Sequence, residues 1–126
     1  EIIDALRLVR PPWNINAVAQ EVGKIILNGT DYLENSRREI RKTKRFLLNE
    51  LGRLGYSTVP SDTNFFLVEV SNAGDFRAAL LRQGILVRDC ASFGLPGYIR
   101  IAARTMPECE KLIKAIEKIG SEQNAG

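Results

Sequence analysis

Apolar residues recur every three or four positions through much of the chain, and short apolar runs bounded by turn formers fill most of the rest. The first pattern marks helices and the second marks strands. From Asp31 to Leu54, the positions Leu33, Ile40, Leu47, Leu51 and Leu54 form one stripe, which predicts a long amphipathic helix. Asp31 and Glu34 stand near its start and basic residues follow, an order that suits the helix dipole. Gly55 closes it. Upstream, residues 1–10 predict a short helix ended by Pro11-Pro12, because the residue before a proline is pushed away from helical geometry. Trp13 and Asn14 fall in the turn that follows. A second helix is expected from Asn16 to Leu27, with Val18, Val22, Ile25 and Ile26 as its apolar face and Asn28-Gly29 as its stop.

Downstream the period changes. Tyr56–Val59 predicts a short strand closed by Pro60-Ser61-Asp62, and Asn64–Val70 a strong one, rich in aromatic and β-branched residues. Ser71–Gly74 reads as a turn, Asp75–Arg82 as a helix ended by Gly84, and Ile85–Arg88 as a third strand. A loop from Asp89 to Gly97 leads to a last strand at 98–103. Thr105-Met106-Pro107-Glu108 has the form of a capping box with proline in the first turn. The final helix is expected to continue to Ile119, before Gly120 and a frayed polar tail. From residue 31 the order is α-β-β-α-β-β-α. The expected fold class is α+β, a small, largely antiparallel sheet covered by helices.

Length and composition add limits. A chain of 126 residues, 44% apolar and 26% charged, has the balance of one ordinary globular domain. No apolar run approaches the ~18 residues of a membrane helix, and no secretory leader is evident. There is no histidine, which excludes an imidazole base or a histidine metal site within the chain. Two cysteines, Cys90 and Cys109, are too few for a disulfide framework or a four-thiolate zinc site. Both read as small buried residues, and the cytoplasm is the expected compartment. The chain opens at Glu1 directly into a helical pattern, as a piece of a longer polypeptide would.

The basic charge is local. Residues 37–45 hold six of the eighteen basic side chains and one of the fifteen acidic ones, leaving twelve basic against fourteen acidic elsewhere. A basic stretch can bind nucleic acid. Here it shares a helix with the apolar stripe, so a solvated outer face is the simpler reading, and no RNA-binding strand motif accompanies it.

Catalytic motifs are absent: no glycine-rich phosphate loop, no Gly-x-Ser-x-Gly. What stands out is arginine on strands. Arg88 ends one, and Arg100 lies within Tyr98-Ile99-Arg100-Ile101-Ala102. An arginine inside an apolar strand must be paired or solvated, and its planar fork suits a carboxylate or phosphate. A structural ion pair, or a simple outward-facing position, accounts for the same pattern. Asn64 precedes the strong strand, where its amide is placed to bond a strand terminus.

Four segments together resemble a known family. Pro11-Pro12-Trp13-Asn14-Ile15-Asn16, Ser61-Asp62-Thr63-Asn64-Phe65, Gly84-Ile85-Leu86-Val87-Arg88-Asp89-Cys90 and Tyr98-Ile99-Arg100-Ile101-Ala102 are similar, in this order, to the C-terminal part of fold-type I aminotransferases that use pyridoxal 5'-phosphate. Within them the resemblance is to the subgroup of threonine-phosphate decarboxylase and histidinol-phosphate aminotransferase, over residues 1 to 119. It implies residues 1–29 as connecting helices from a large domain, 30–120 as the small domain and 121–126 as a tail. It implies a small phosphorylated, amino-acid-like substrate and a homodimeric parent; from the sequence itself no membrane partner is expected and a nucleic-acid partner is disfavoured. Arg100 would grip the substrate carboxylate, or the group in its place, and Arg88 the substrate phosphate.

Arg104 stands where the aminotransferases usually have glycine. With the run Arg88 to Leu95 it favours the decarboxylase, used in cobalamin biosynthesis, over the aminotransferase of histidine biosynthesis. The family's Schiff-base lysine lies upstream in a Ser-x-x-Lys motif, and nothing here matches it. Lys42 and Lys44, on the basic helix, are no substitute, since a catalytic lysine needs burial or neighbouring charge. The chain alone is therefore expected to be inactive and to hold no cofactor. Two readings of another class remain: a stand-alone nucleic-acid-binding module built on the basic helix, and a small-molecule regulatory domain using Arg88 and Arg100.

Overall fold

The computed structural model describes residues 1–10, 15–27 and 29–124, with side chains as far as Ser121. The chain divides into two compact units, Glu1–Asn35 and Ser36–Gly126.

The first unit holds helices α1 (Ile2–Val9) and α2 (Ala17–Ile26) and the start of α3 (Thr30–Arg53). Asn16 caps α2 by accepting a hydrogen bond from the Ala19 N–H at 2.8 Å, satisfying one of the free donors of the first turn. Neither α1 nor α2 has a buried residue. The apolar face expected for α2 is present as a stripe, yet Val18, Val22, Ile25 and Ile26 are all exposed. Leu33, placed on the α3 stripe by its spacing, is exposed as well. The turn expected at Pro11–Asn14, with Trp13, lies outside the described residues, as does Asn28 of the α2 stop.

The second unit has its own core. After α3 come β1 (Thr58–Val59), β2 (Phe65–Glu69), α4 (Ala73–Arg82), β3 (Arg88–Asp89), a 3-10 turn (Ala91–Phe93), β4 (Tyr98–Ala102) and α5 (Met106–Asn124). The element order is the one expected. The four strands form one sheet in the order β1-β2-β4-β3, with every neighbouring pair antiparallel. Side chains alternate across a strand, so Phe66 and Val68 of β2 and Ile99 and Ile101 of β4 point to one face. There they join Leu47 and Leu51 of α3, Phe76 and Leu80 of α4, and Ile113 and Ile116 of α5 in a single core. The other face carries Leu67, Phe65 and Arg100, and among the described residues no helix of this unit supplies it with core residues.

Several boundaries differ from the expected ones. The third strand is not Ile85–Arg88 but Arg88–Asp89; only these two residues find partners on β4, and Leu86 is exposed. Helix α4 starts two residues early, because Asn72 is a cap rather than part of a turn: its side-chain oxygen accepts from the Asp75 N–H at 3.1 Å. Gly74 leaves room for that cap, since a Cβ there would sit 3.3 Å from the Asn72 oxygen. The last helix runs through Gly120 to Asn124 rather than stopping at Ile119. The expected stop at Gly55 holds. Its φ is +84°, and the Gly55 and Tyr56 N–H groups return to the Gly52 and Leu51 carbonyls, the Schellman arrangement that glycine permits.

Thr43 interrupts the α3 stripe between Ile40 and Leu47 and is buried. Its hydroxyl is satisfied within the helix, donating to the Glu39 and Ile40 carbonyls, which is how a polar residue survives in a core position.

Candidate functional site

Arg100 sits on β4 between two buried isoleucines and points the opposite way, to the open face. Arg88 on β3 is its cross-strand partner in the register, so both project from the same face. Like charges placed directly opposite on adjacent strands are unfavourable without a counter-charge. Each guanidinium lies instead against an aromatic ring. The Cζ of Arg100 is 4.9 Å from the Phe65 ring centroid, and that of Arg88 is 5.3 Å from the Phe93 ring centroid. Arg88 also donates from Nη2 to the Ser92 hydroxyl at 3.2 Å. The strand arginines of the sequence are thus outward-facing, and no ion pair holds either of them among the described residues.

Both arginines line a cleft of about 600 Å³, to which Arg77, Arg104, Lys111 and Glu108 also contribute. The single carboxylate of this group is already engaged. Glu108 accepts from Arg104 Nε at 2.7 Å and from the Thr105 hydroxyl at 2.6 Å, and the Thr105 N–H reaches it too. These bonds, that of the Thr105 side chain foremost, hold the Glu108 carboxyl below its ordinary pKa. This is the expected capping box with its hydroxyl turned onto the carboxylate. The remaining cations leave the cleft strongly positive, which fits an anionic ligand or the anionic end of one.

Among the described residues Lys111 is the one amine lining the cleft. None of the six lysines is buried. Lys24 pairs with Glu21 at 2.7 Å, and Lys111, the lysine of the cleft, is exposed. Lys44 donates its ammonium to the main-chain carbonyls of Ser61 and Thr63, the latter at 2.8 Å. That bond removes Lys44 from the basic surface face and makes it a tie between α3 and the loop before β2. No described lysine of the cleft is thus buried, the setting an imine-forming lysine needs.

Cys90 and Cys109 are buried and unpaired with each other. Their thiols point at the Arg88 and Arg104 carbonyls at 3.8 and 3.6 Å, and burial pushes the Cys109 thiol pKa up, away from a reactive thiolate. Asn64 is exposed, and its main-chain carbonyl accepts from the Ala103 N–H, extending the β2–β4 ladder. Among the described residues there is no group of three or more potential metal ligands, and no helix is long and apolar enough to cross a membrane. Sequence reasoning passed over Phe65 and Phe93 as partners of the arginines. Phe65 lies near Arg100 only through the β2–β4 register, whereas Phe93, five residues after Arg88, was visible as a local aromatic.

Residues 1–116 match the family described as aminotransferase class I and II, and the chain belongs to this family. Among curated relatives it is 34% identical over 118 residues to a histidinol-phosphate aminotransferase of Symbiobacterium thermophilum, covering 93% of this chain and 33% of that protein. It is 36% identical over 122 residues to histidinol-phosphate aminotransferase 1 of Cupriavidus pinatubonensis, covering 94% and 32%. Among solved structures, the histidinol-phosphate aminotransferase of Clostridium acetobutylicum aligns with a TM-score of 0.78 at 26% identity, over 96% of this chain and 38% of that one. L-threonine-O-3-phosphate decarboxylase of Porphyromonas gingivalis aligns with a TM-score of 0.70 at 27% identity, over 94% and 38%. The chain spans about a third of the length of the curated relatives it matches.

Proposed function

We propose that this chain is the substrate-gripping part of a pyridoxal-phosphate-dependent aminotransferase that acts on a small phosphorylated, amino-acid-like substrate, with histidinol-phosphate aminotransferase as the parent activity. The observation that carries the reading is the facing pair Arg88 and Arg100, two guanidiniums on one open face with no carboxylate partner among the described residues. Arg100 grips the substrate carboxylate or the group in its place, and Arg88 its phosphate. The cofactor supplies the electron sink for the substrate carbanion. This chain supplies orientation, fixing two anionic ends so that the reacting carbon is held in one pose. The lysine that bears the cofactor belongs to the remainder of the longer polypeptide, and the assembled enzyme is a homodimer.

The curated relatives cited above support an aminotransferase over the decarboxylase that the sequence favoured. Arg104 weighed most for the decarboxylase. Its guanidinium is taken up by Glu108, in an exposed pair at the N-terminus of α5, so its presence says little about the substrate. The decarboxylase stays as the second reading, supported by the likeness to the Porphyromonas gingivalis structure.

The test uses the full-length polypeptide with cofactor. Histidinol phosphate and a 2-oxo acid acceptor are expected to give transamination, and O-phospho-threonine no release of carbon dioxide; the reverse result selects the second reading. Arg100→Ala is expected to lower kcat/KM about a hundredfold or more, the loss of two charge-assisted hydrogen bonds, and Arg104→Ala less than about threefold. Small and equal effects would overturn the assignment of Arg100. The 126-residue chain alone, treated with cofactor and borohydride, is expected to show no lysine carrying the cofactor by mass spectrometry.

A further inference from the structure

Four arginines of the second unit are held in two different ways. Arg53 is pinned by carboxylates, at 2.8 Å from Glu50 and 2.5 Å from Glu117, and Arg104 by Glu108. Such a partner consumes the donors along the guanidinium edge. Arg88 and Arg100 rest on rings. A ring occupies the flat face of the guanidinium by cation–π attraction and leaves the in-plane N–H donors free.

For Arg88 the ring comes from a local device. Asp89 accepts from the Ala91 N–H at 2.7 Å, starting the 3-10 turn Ala91–Phe93. Gly94 closes the turn in the left-handed region at φ +77°, where a side chain would be strained. The turn brings Phe93 back under Arg88 and presents the Ser92 hydroxyl to one Nη2 donor. Phe93 is 59% exposed. Its contribution to the core is slight, and its position beneath Arg88 is the role the structure gives it.

We propose that Ser92 and Phe93 are positioning residues that preset Arg88 for the phosphate of the substrate, so that the 91–93 turn sets selectivity for phosphorylated over unphosphorylated substrates. The proposal rests on the reading of Arg88 given above. A long arginine side chain on an edge strand of two residues loses much rotamer freedom when it binds an anion. Stacking and the Ser92 bond remove that freedom beforehand, and the phosphate meets a fork already oriented.

The experiment measures kcat/KM of the full-length holoenzyme for a phosphorylated substrate and for its dephosphorylated analogue, and takes the ratio. Phe93→Leu is expected to lower the ratio about threefold and the double variant with Ser92→Ala about tenfold, through KM of the phosphorylated substrate with kcat nearly unchanged, as loss of an exposed cation–π contact implies. Phe93→Tyr keeps the ring and is expected to restore the ratio. If Arg88→Ala collapses the ratio and Phe93→Leu leaves it unchanged, or if tyrosine fails to rescue, the positioning role is overturned while the reading of Arg88 stands. If Arg88→Ala itself leaves the ratio unchanged, the underlying reading falls. Thermal melts of the variants, expected to match the parent within about 2 °C for an exposed turn residue, show that folding is not what changed.

Discussion

Replacing Lys44 by methionine should destabilise the protein far more than the same change at Lys42, two residues away on the same basic helix. Methionine keeps the length and apolar stem of lysine and deletes the ammonium. At position 44 that ammonium serves the Ser61 and Thr63 carbonyls; Lys42 is exposed and has no such partner in the loop. A hydrogen bond to a charged group contributes about 1.5–3 kcal/mol when shielded from water. One of these two is only partly shielded and the other is exposed, so the discounted sum is about 1–2 kcal/mol. Loss of one positive charge from a crowded cluster relieves repulsion equally in both variants, and Lys42→Met subtracts that effect. Urea unfolding of the 126-residue chain, followed by far-ultraviolet circular dichroism, reads the difference. With a slope of about 2 kcal/mol per molar, the Lys44→Met midpoint should fall about 0.5–1 M below that of Lys42→Met. The partners of Lys44 are uncharged carbonyls, so the gap should persist in about 0.5 M sodium chloride, where surface ion pairs are screened. Equal midpoints, or a gap that vanishes with salt, would show that Lys44 is only part of the charged surface.

Leu80, fully buried on α4, should cost about 2–5 kcal/mol when changed to alanine, whereas Leu86→Ala, 70% exposed, should stay within about 0.5 kcal/mol; chemical denaturation compares them directly. Both thiols are buried, so an aromatic disulfide reagent should label neither in the native protein and two on unfolding, and rapid labelling of the folded chain would contradict the burial. The folded-state pKa of Glu108 lies below its ordinary 4.5. Its contribution to stability is therefore present above about pH 4.5 and lost as pH falls through the lowered value. Glu108→Gln should flatten the stability profile below about pH 4.5, and an unaltered profile would count against the Thr105 and Arg104 bonds.

The sequence displayed what is local. Helix α3 and the strands β2 and β4 are long enough, relative to their patterns, for period and turn chemistry to locate them within a residue or two. The failures share a cause. Ile85–Val87 has strand composition, but pairing depends on what β4 offers opposite, and β4 meets only Arg88 and Asp89. Asn72 and Gly74 look like turn residues because the same chemistry that makes a turn also caps a helix. Thr43 carries a polar label in an apolar position, and its hydroxyl satisfies itself out of sight of any hydropathy pattern. At the candidate site, Arg88 and Arg100 were visible as residues on strands. That they face each other is a matter of register between segments twelve residues apart, and that Phe65 lies beneath Arg100 requires a pairing across α4. The face of α2 shows the converse: its stripe is legible and real, and none of its described residues is buried.

The opposition of Arg88 and Arg100 turns the melting temperature into a gauge of occupancy. An empty face keeps two like charges side by side, and an anion seated between them relieves that repulsion only in the folded sheet, since unfolding lets the two strands part. Anions that reach this face should therefore raise the melting temperature with concentration, as any ligand of the native state does. The increment should shrink in Arg88→Ala or Arg100→Ala and disappear when both are replaced. A screen of phosphorylated compounds by thermal shift would then rank ligands of this face without any turnover being observed.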